Sequence, residues 1–329
     1  MTIELTPEQN TAVDKIRTWL TLNRGEFKLG GYAGTGKTTV IKFIEQAIRN
    51  SDKSVVISAF TGKAVNVLQK KGLTSAQTLH SLIYNCSPLP GGGVEFHLKE
   101  KLEFKPSLII VDEASMISSD LYEDLKSFNI PILFVGDPGQ LEPVGDNPNL
   151  MKEPDYILSK IHRQAEHSPI IGFANRIRLG EQPSIRDSLD GLQIIPKREV
   201  SIPLLSNWDQ VICAKNKTRR EINEKFRRFS NKPTDSIEIG DKLIILRNNR
   251  DCGVFNGMLV YITELHDERN DCWFATVKDE ADKVYPKIPI WKLPFQSELP
   301  KEYHVPKVYR AGSDKGITYV VADFGYCIT

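Results

Sequence analysis

Residues 31–38 read Gly-Tyr-Ala-Gly-Thr-Gly-Lys-Thr and fit the spacing GxxxxGK[ST]. They follow an apolar run, FKLGG, and precede TTVIKFIEQAI, whose apolar residues recur at helical spacing. Strand, glycine turn and helix together form the context in which this pattern has a physical meaning. Glycines let backbone N–H groups converge on a polyphosphate, and the helix N-terminus adds a dipole that favours negative charge. Gly34, Thr35, Gly36, Lys37, Thr38 and Thr39 are therefore the candidate nucleotide-binding residues. Lys37 offers a point charge to the β- and γ-phosphates, and the Thr38 hydroxyl suits the shell of a Mg²⁺ ion. ATP and Mg²⁺ are the expected cofactors.

Outward from this stretch the chain alternates short apolar runs with helical patterns: SVVISAF (54–60) then KAVNVLQKKG (63–72), SLIIVDEA (107–114) then SSDLYEDLKSF (118–128), and PILFVGD (131–137). Such a rhythm predicts an α/β fold in which helices cover a parallel sheet. Residues 84–106, which contain SPLPGGG, break it and read as a small inserted hairpin within a first domain of residues 1–150. A second domain, 151–329, resumes with QVICAKN (210–216) and the helical KTRREINEKFRRF (217–229). From about 235 to 310 short β-like runs predict an inserted β-barrel, and ITYVVADFGYCIT (317–329) returns to a buried-strand pattern.

The apolar run SLIIV ends in Asp112-Glu113. Asp112 is placed to hold the metal through water, and Glu113 to orient and deprotonate an attacking water. Gln9 reads two ways: as a contact to adenine, or as the return half of a capping box in Thr6-Pro-Glu-Gln9.

Lysines and arginines number 43 against 42 acids, so a nucleic-acid or acidic-membrane surface must be local rather than global. The local candidate is 211–250, where eleven basic residues face five acids; a solvated charged helix is the rival reading. Five cysteines without a CxxC pair point to free thiols in a reducing compartment and argue against zinc. No apolar run approaches the ~18 residues of a membrane span, and the polar start MTIELTPEQN lacks a signal-peptide pattern. A cytoplasmic protein with no membrane partner is expected.

Taken together, eight segments in chain order resemble superfamily 1 (1B) DNA helicases of the RecD-like and phage Dda-like branch. LTPEQ resembles the Q motif, GYAGTGKTT motif I, SAFTGKA (58–64) motif Ia, TLH (78–80) motif Ib, VDEASM (111–116) motif II, VGDPGQLEPV (135–144) motif III and IHRQ (161–164) motif IV. GVFNGMLVYI (253–262) resembles the start of that branch's SH3-like insertion. The resemblance implies two RecA-like domains closing on ATP, with 5′ to 3′ movement along single-stranded DNA and the inserted hairpin as a pin at duplex junctions. By position, Gln140 matches the γ-phosphate sensor and Arg163 an arginine that reaches the same phosphate. Phe60, Thr61, Lys63 and His80 match residues lining the DNA path, with Asn256 beside them on the insertion. Phe60 also reads as a core residue at a strand end. The family continues with an HKSQG-type motif V and a TRA-type motif VI, and neither occurs in these 329 residues. The expectation is a helicase incomplete in its second domain and inactive alone: either one half of a split or interrupted gene, with a complementing C-terminal polypeptide as partner, or a truncated helicase. The alternative is a non-catalytic protein that binds ATP and single-stranded DNA.

Overall fold

The computed structural model describes residues 4–22, 25–88, 94–141, 146–160, 168–185, 188, 191–249, 251–269, 271–297, 299, 303–309 and 316–329. The chain forms two compact units, Met1–Cys86 with Phe96–Ile194, and Ser87–Glu95 with Ile195–Thr329. Their division at 194/195 lies well beyond the 150/151 expected from the sequence.

In the first unit, α1 (Pro7–Thr21) leads into β1 (Glu26–Gly31), α2 (Lys37–Arg49), β2 (Val55–Ala59), α3 (Gly62–Lys70), β3 (Gln77–Thr78) and α4 (Leu79–Ile83), and then into β4 (Tyr84–Pro88) and β5 (Val94–Leu98), of which residues 87–95 are grouped with the second unit. There follow β6 (Leu108–Asp112), α5 (Ser119–Lys126), β7 (Ile132–Gly136), β8 (Tyr156–Leu158) and α6 (Pro169–Arg178). Six strands make one sheet in the order β3-β2-β6-β7-β1-β8, and every pairing in it is parallel. Strands β2 and β7 are buried along their whole length and β6 along all but its last residue, which is why they read as continuous apolar runs.

Period-two alternation sorts these strands onto two cores. Ile57, Ile110, Leu133 and Val135 face a cluster with Ala12, Val13 and Ile16 of α1, Val40, Ile41 and Ile44 of α2, and Val65 and Leu68 of α3. Val56, Ile109, Val111, Ile132 and Phe134 face the opposite cluster, with Leu79, Leu82 and Ile83 of α4 and Leu121 and Leu125 of α5. Each fully buried aliphatic side chain contributes about 1.5–3 kcal/mol.

The inserted hairpin is narrower than 84–106: β4 and β5 form a two-stranded sheet of their own. Lys99 fixes its base by donating to the carbonyls of Ser81 and Leu82, both at 3.0 Å, and the Tyr84 hydroxyl bonds Asp124.

The second unit holds β9 (Val211–Ile212), α7 (Asn216–Phe229), β10 (Lys242–Ile245), β11 (Leu259–Glu268), β12 (Cys272–Asp279) and β13 (Val284–Trp291), then β14 (Lys307–Tyr309), β15 (Gly316–Thr318), β16 (Ala322–Phe324) and β17 (Cys327–Ile328). Its main sheet has the order β13-β12-β11-β10-β16 and is antiparallel throughout. Strand β16 comes from outside the 235–310 interval expected for a barrel. Parallel pairing between named strands, expected across this unit, is confined among the described residues to β9 and β17, two residues each. The final apolar stretch splits among three sheets instead of forming one strand.

The basic run at 211–250 is only partly a solvated face. Arg227 is fully buried; it donates to the carbonyls of Pro233 and Ser236, both at 2.7 Å, and pairs with buried Asp241. Lys232 and the Tyr326 hydroxyl bond the same carboxylate at 2.7 and 2.8 Å. Arg219 lies 3.1 Å from Asp323, with both side chains buried. Arg220 holds the carbonyls of Pro294 and Ser297. Lys215, Lys217 and Lys225 remain exposed. Four of the eleven basic residues that suggested a nucleic-acid surface therefore serve the packing of this unit.

Among the described residues no helix is long and apolar enough to cross a membrane.

Candidate functional site

Because its strands are parallel, the sheet delivers all their carboxyl ends to one rim, where open α/β sheets bind ligands. Strand β1 runs into residues 31–38, β2 into Phe60-Thr61, β6 into Asp112-Glu113, and β7 into Asp137–Gln140. Only β7 separates β1 from β6, so the glycine loop and the two carboxylates stand about 10 Å apart at their strand ends, two strand spacings.

The loop has the conformation its glycines permit. Gly34 and Gly36 have φ of 82° and 83°, a region that side chains disfavour. Gly36 caps α2 in that conformation. At Gly31 the constraint is contact: a Cβ there would lie 2.8 Å from Thr35 Oγ1 and 3.2 Å from Leu158 Cβ. The Lys37 ammonium folds back on the loop, donating to the carbonyls of Gly31 at 2.6 Å and Tyr32 at 3.2 Å. Buried Thr35 donates its hydroxyl to Tyr32 at 2.8 Å.

Gln9 braces the loop from behind. The capping box forms: Thr6 N–H donates to Gln9 Oε1 at 3.0 Å, and Gln9 N–H to Thr6 Oγ1 at 3.3 Å. The same side chain donates through Nε2 to the Thr35 carbonyl at 3.1 Å. Only 1% exposed, it supports the phosphate loop through the backbone. Next to it, Glu8 accepts from the Ser159 N–H and hydroxyl and the Lys160 N–H at 2.7–3.0 Å, fixing the end of β8. Burial alone would raise its pKa; these bonds hold it below the ordinary carboxylate value.

A cavity of ≈370 Å³ opens on this rim, lined by Tyr32, Gly34, Gly36, Lys37, Thr38, Thr39, Lys42, Val67, Lys71, Asp112 and Glu113. Burial, then the charge of Glu113, pushes the Asp112 carboxyl up to about 6, against the Glu113 N–H, Lys37 and Lys71, which favour the ionised form. Glu113 adopts φ 56°, ψ 41°, a left-handed conformation costing about 1–3 kcal/mol in a side-chain-bearing residue. The strain turns the chain sharply off β6 into a short 3₁₀ turn while keeping Glu113 on the cavity wall.

Gln140 is not among the lining residues; its Oε1 accepts from the Ser115 hydroxyl at 3.0 Å, two residues past Glu113. Arg163 lies outside the described residues. Asn256 lies in the second unit, on an exposed turn where its N–H donates to Asn248 Oδ1 at 2.8 Å. Thr61 is occupied as the N-cap of α3, accepting from Ala64 N–H at 3.1 Å, and Lys63 beside it is exposed. Half-buried Phe60 meets the edge of His80 at 5.8 Å between ring centres. His80 in turn lies 5.7 Å from Tyr84 and 5.5 Å from Phe96, and burial lowers its basicity.

Sequence reasoning missed Lys42, Lys71, Ser115, Tyr84 and Phe96. Ser115 sits inside VDEASM and could have been found there. Lys71 stands at a helix end where a lysine reads as routine capping, and Phe96 belongs to the hairpin, whose aromatic partners only the fold supplies.

A family model described as an AAA domain matches residues 4–195. The chain is 34% identical over 167 residues to the ATP-dependent RecD2 DNA helicase of Deinococcus radiodurans, covering 48% of this chain and 22% of that protein. It is 30% identical over 190 residues to the ATP-dependent DNA helicase dda of Enterobacteria phage T4, covering 54% and 43%. The chain thus spans less than half the length of these curated relatives. Among solved structures, Bacteroides Pif1 helicase in complex with ADP-AlF3 and single-stranded DNA superposes with a TM-score of 0.57 at 20% identity, over 99% of this chain and 83% of that one. Candida albicans Pif1 helicase gives 0.53 at 16%, over 99% and 85%. These two share the fold. The chain belongs to the AAA-domain family.

Proposed function

We propose that the chain is an ATP-dependent DNA helicase, or its nucleotide- and strand-handling portion, that couples ATP hydrolysis to 5′ to 3′ movement on single-stranded DNA. The observation that carries this is the shared cavity in which Lys37 and Thr38 face Asp112 and Glu113 across one sheet rim. The Thr38 hydroxyl and the Asp112 carboxylate are hard oxygen donors, and a Mg²⁺ site on ATP takes one or two such groups and fills the rest with phosphate and water. When bound, that ion neutralises phosphate charge. The protein's own part is separable. The loop N–H groups and Lys37 bind the phosphates, Glu113 accepts the proton of the attacking water, and Gln140, tied to Ser115 two residues beyond Glu113, senses the γ-phosphate, as the family resemblance implies. Arg163 supplies further positive charge to the γ-phosphate, as the family resemblance implies.

The strand path in the first unit runs over Phe60, Thr61, Lys63 and His80, with Tyr84 and Phe96 extending the aromatic face; Asn256 is a DNA contact of its own unit, as the family resemblance implies. Aromatic faces stack on any base, and Lys63 meets phosphate, so binding is sequence-tolerant and falls steeply with salt. The dda and RecD2 relatives are named ATP-dependent DNA helicases, and the Pif1 neighbour holds single-stranded DNA, which supports this reading. Phosphate release with and without single-stranded DNA tests it. Glu113→Gln is expected to bind ATP with unchanged affinity and lose turnover on the order of 100-fold or more, since only water activation is removed. Normal turnover in that variant would sink the assignment.

A further inference from the structure

Lys71 takes no part in the scheme above, yet its ammonium reaches the nucleotide cavity and lies 3.4 Å from Thr38 Oγ1. That hydroxyl is its one hydrogen-bond partner among the described residues. The placement is built into the fold. Lys71 ends α3 at a Schellman cap: Gly72, at φ 95°, donates to the Gln69 carbonyl at 2.9 Å, and Leu73 to that of Leu68 at 3.0 Å. Leu68 and Leu73, each 1% exposed, bury the cap in the core beneath the sheet rim. Val67, one turn back on the same helix face, also lines the cavity. The backbone under Lys71 is therefore fixed, and its flexible four-carbon stem points the charge at the oxygen assigned to the metal.

Two cations cannot share that oxygen. A Mg²⁺ ion would approach Thr38 to about 2.1 Å and repel an ammonium bonded to the same hydroxyl. We propose that Lys71 stands in for the metal: it neutralises the nucleotide phosphates when Mg²⁺ is absent and is displaced when Mg²⁺ binds. This rests on the ATP-site reading above and adds a residue that sets how nucleotide binding depends on the metal. Lys37 differs, because it holds the loop carbonyls rather than Thr38 and is needed with or without the ion.

The test is binding of a fluorescent ATP analogue (mant-ATP) to the whole chain, in EDTA and in excess Mg²⁺, for the wild type, Lys71→Ala, Lys71→Arg and Lys37→Ala. Lys71 is an exposed residue, and thermal unfolding checks that each variant is folded. Lys71→Ala is expected to weaken metal-free binding about tenfold, the loss of one charged hydrogen bond, and to shift Mg²⁺-bound affinity less than about twofold. The Mg²⁺ concentration that gives half-maximal tight binding should fall, because the competing cation is gone. Lys71→Arg should keep metal-free binding near the wild-type value. Equal weakening with and without Mg²⁺ would make Lys71 an ordinary phosphate contact and overturn the inference, as would no weakening in EDTA. Failure of the wild type to bind the analogue even with Mg²⁺ would overturn the ATP-site reading as well, whereas wild-type binding indifferent to Lys71 overturns this inference alone.

Discussion

At the rim of the first unit, Lys37, Lys42 and Lys71 surround Asp112 and Glu113 across a cavity of ≈370 Å³. In the second unit, Arg227 and Lys232 close directly on Asp241, and Tyr326 and the Glu238 N–H complete its shell. Both regions gather cations around carboxylates. In the first the groups are held by strand ends and helix ends that cannot approach one another, so the charges remain available to a ligand. In the second they lie on one helix and the segment that follows it, and they satisfy each other. Desolvated charges without space between them hold a fold together; the same charges with space between them make a site.

Breaking the closed cluster should have the largest effect. Arg227→Ala leaves Asp241 buried with its main partner gone and is expected to cost about 3–5 kcal/mol in urea unfolding. Arg227→Met with Asp241→Leu should recover much of that, since it removes both charges. A neutral result for Arg227→Ala would end the contrast drawn here.

In the open cluster the expectation reverses: Lys37→Ala should reduce ATP affinity roughly 100-fold while changing stability by less than about 1 kcal/mol. Equal losses in both measurements would show that Lys37 is structural.

Asp112 sharpens the contrast through pH. Its folded-state value of about 6 lies above the usual 3.8, so between about pH 4 and 6 the folded protein binds this proton more tightly than the unfolded chain does. The carboxyl's contribution to stability therefore falls as pH rises through that window and is a full penalty above it. Asp112→Asn is expected to stabilise the nucleotide-free chain at pH 7 by about 1–2 kcal/mol, discounted for partial exposure, and to show no advantage below pH 4. Thermal unfolding of both forms at the two pH values checks this.

The smallest effect belongs to the brace behind the loop. Thr6→Ala removes one half of the capping box and should cost about 1 kcal/mol, read by the same unfolding measurement. ATP affinity should fall only slightly, because Gln9 keeps its bond to Thr35.

The first unit was legible because its signals are local. Each strand of SVVISAF, SLIIV and PILFVGD announces itself within five to seven residues, and most residues that line the cavity follow β1 or close β6. Gln9 stayed ambiguous in sequence because capping and ligand contact place the same demand on spacing; the fold gives its amide two loyalties, to Thr6 and to Thr35. The second unit was harder to read. Its sheet recruits β16 from more than 30 residues beyond β13, and the pairing of Leu243 with Phe324 has no local signature. The basic run misled for a similar reason: Asp323, which meets Arg219, lies about 100 residues away in sequence.

The sequence by itself determined where the phosphate loop, its strand and its helix lie, because glycine's freedom at positive φ and hydrophobic periodicity act over a few neighbouring residues. Only the tertiary structure decided which charges are spent and which are offered. Arg227 and Lys71 are alike in sequence as basic residues, one within a helix and one at a helix end. One is carried against a carboxylate by the burial of its helix face; the other is held over an open cavity by a cap anchored in the core. Burial and long-range approach set that difference, and neither is a property of neighbours in the chain.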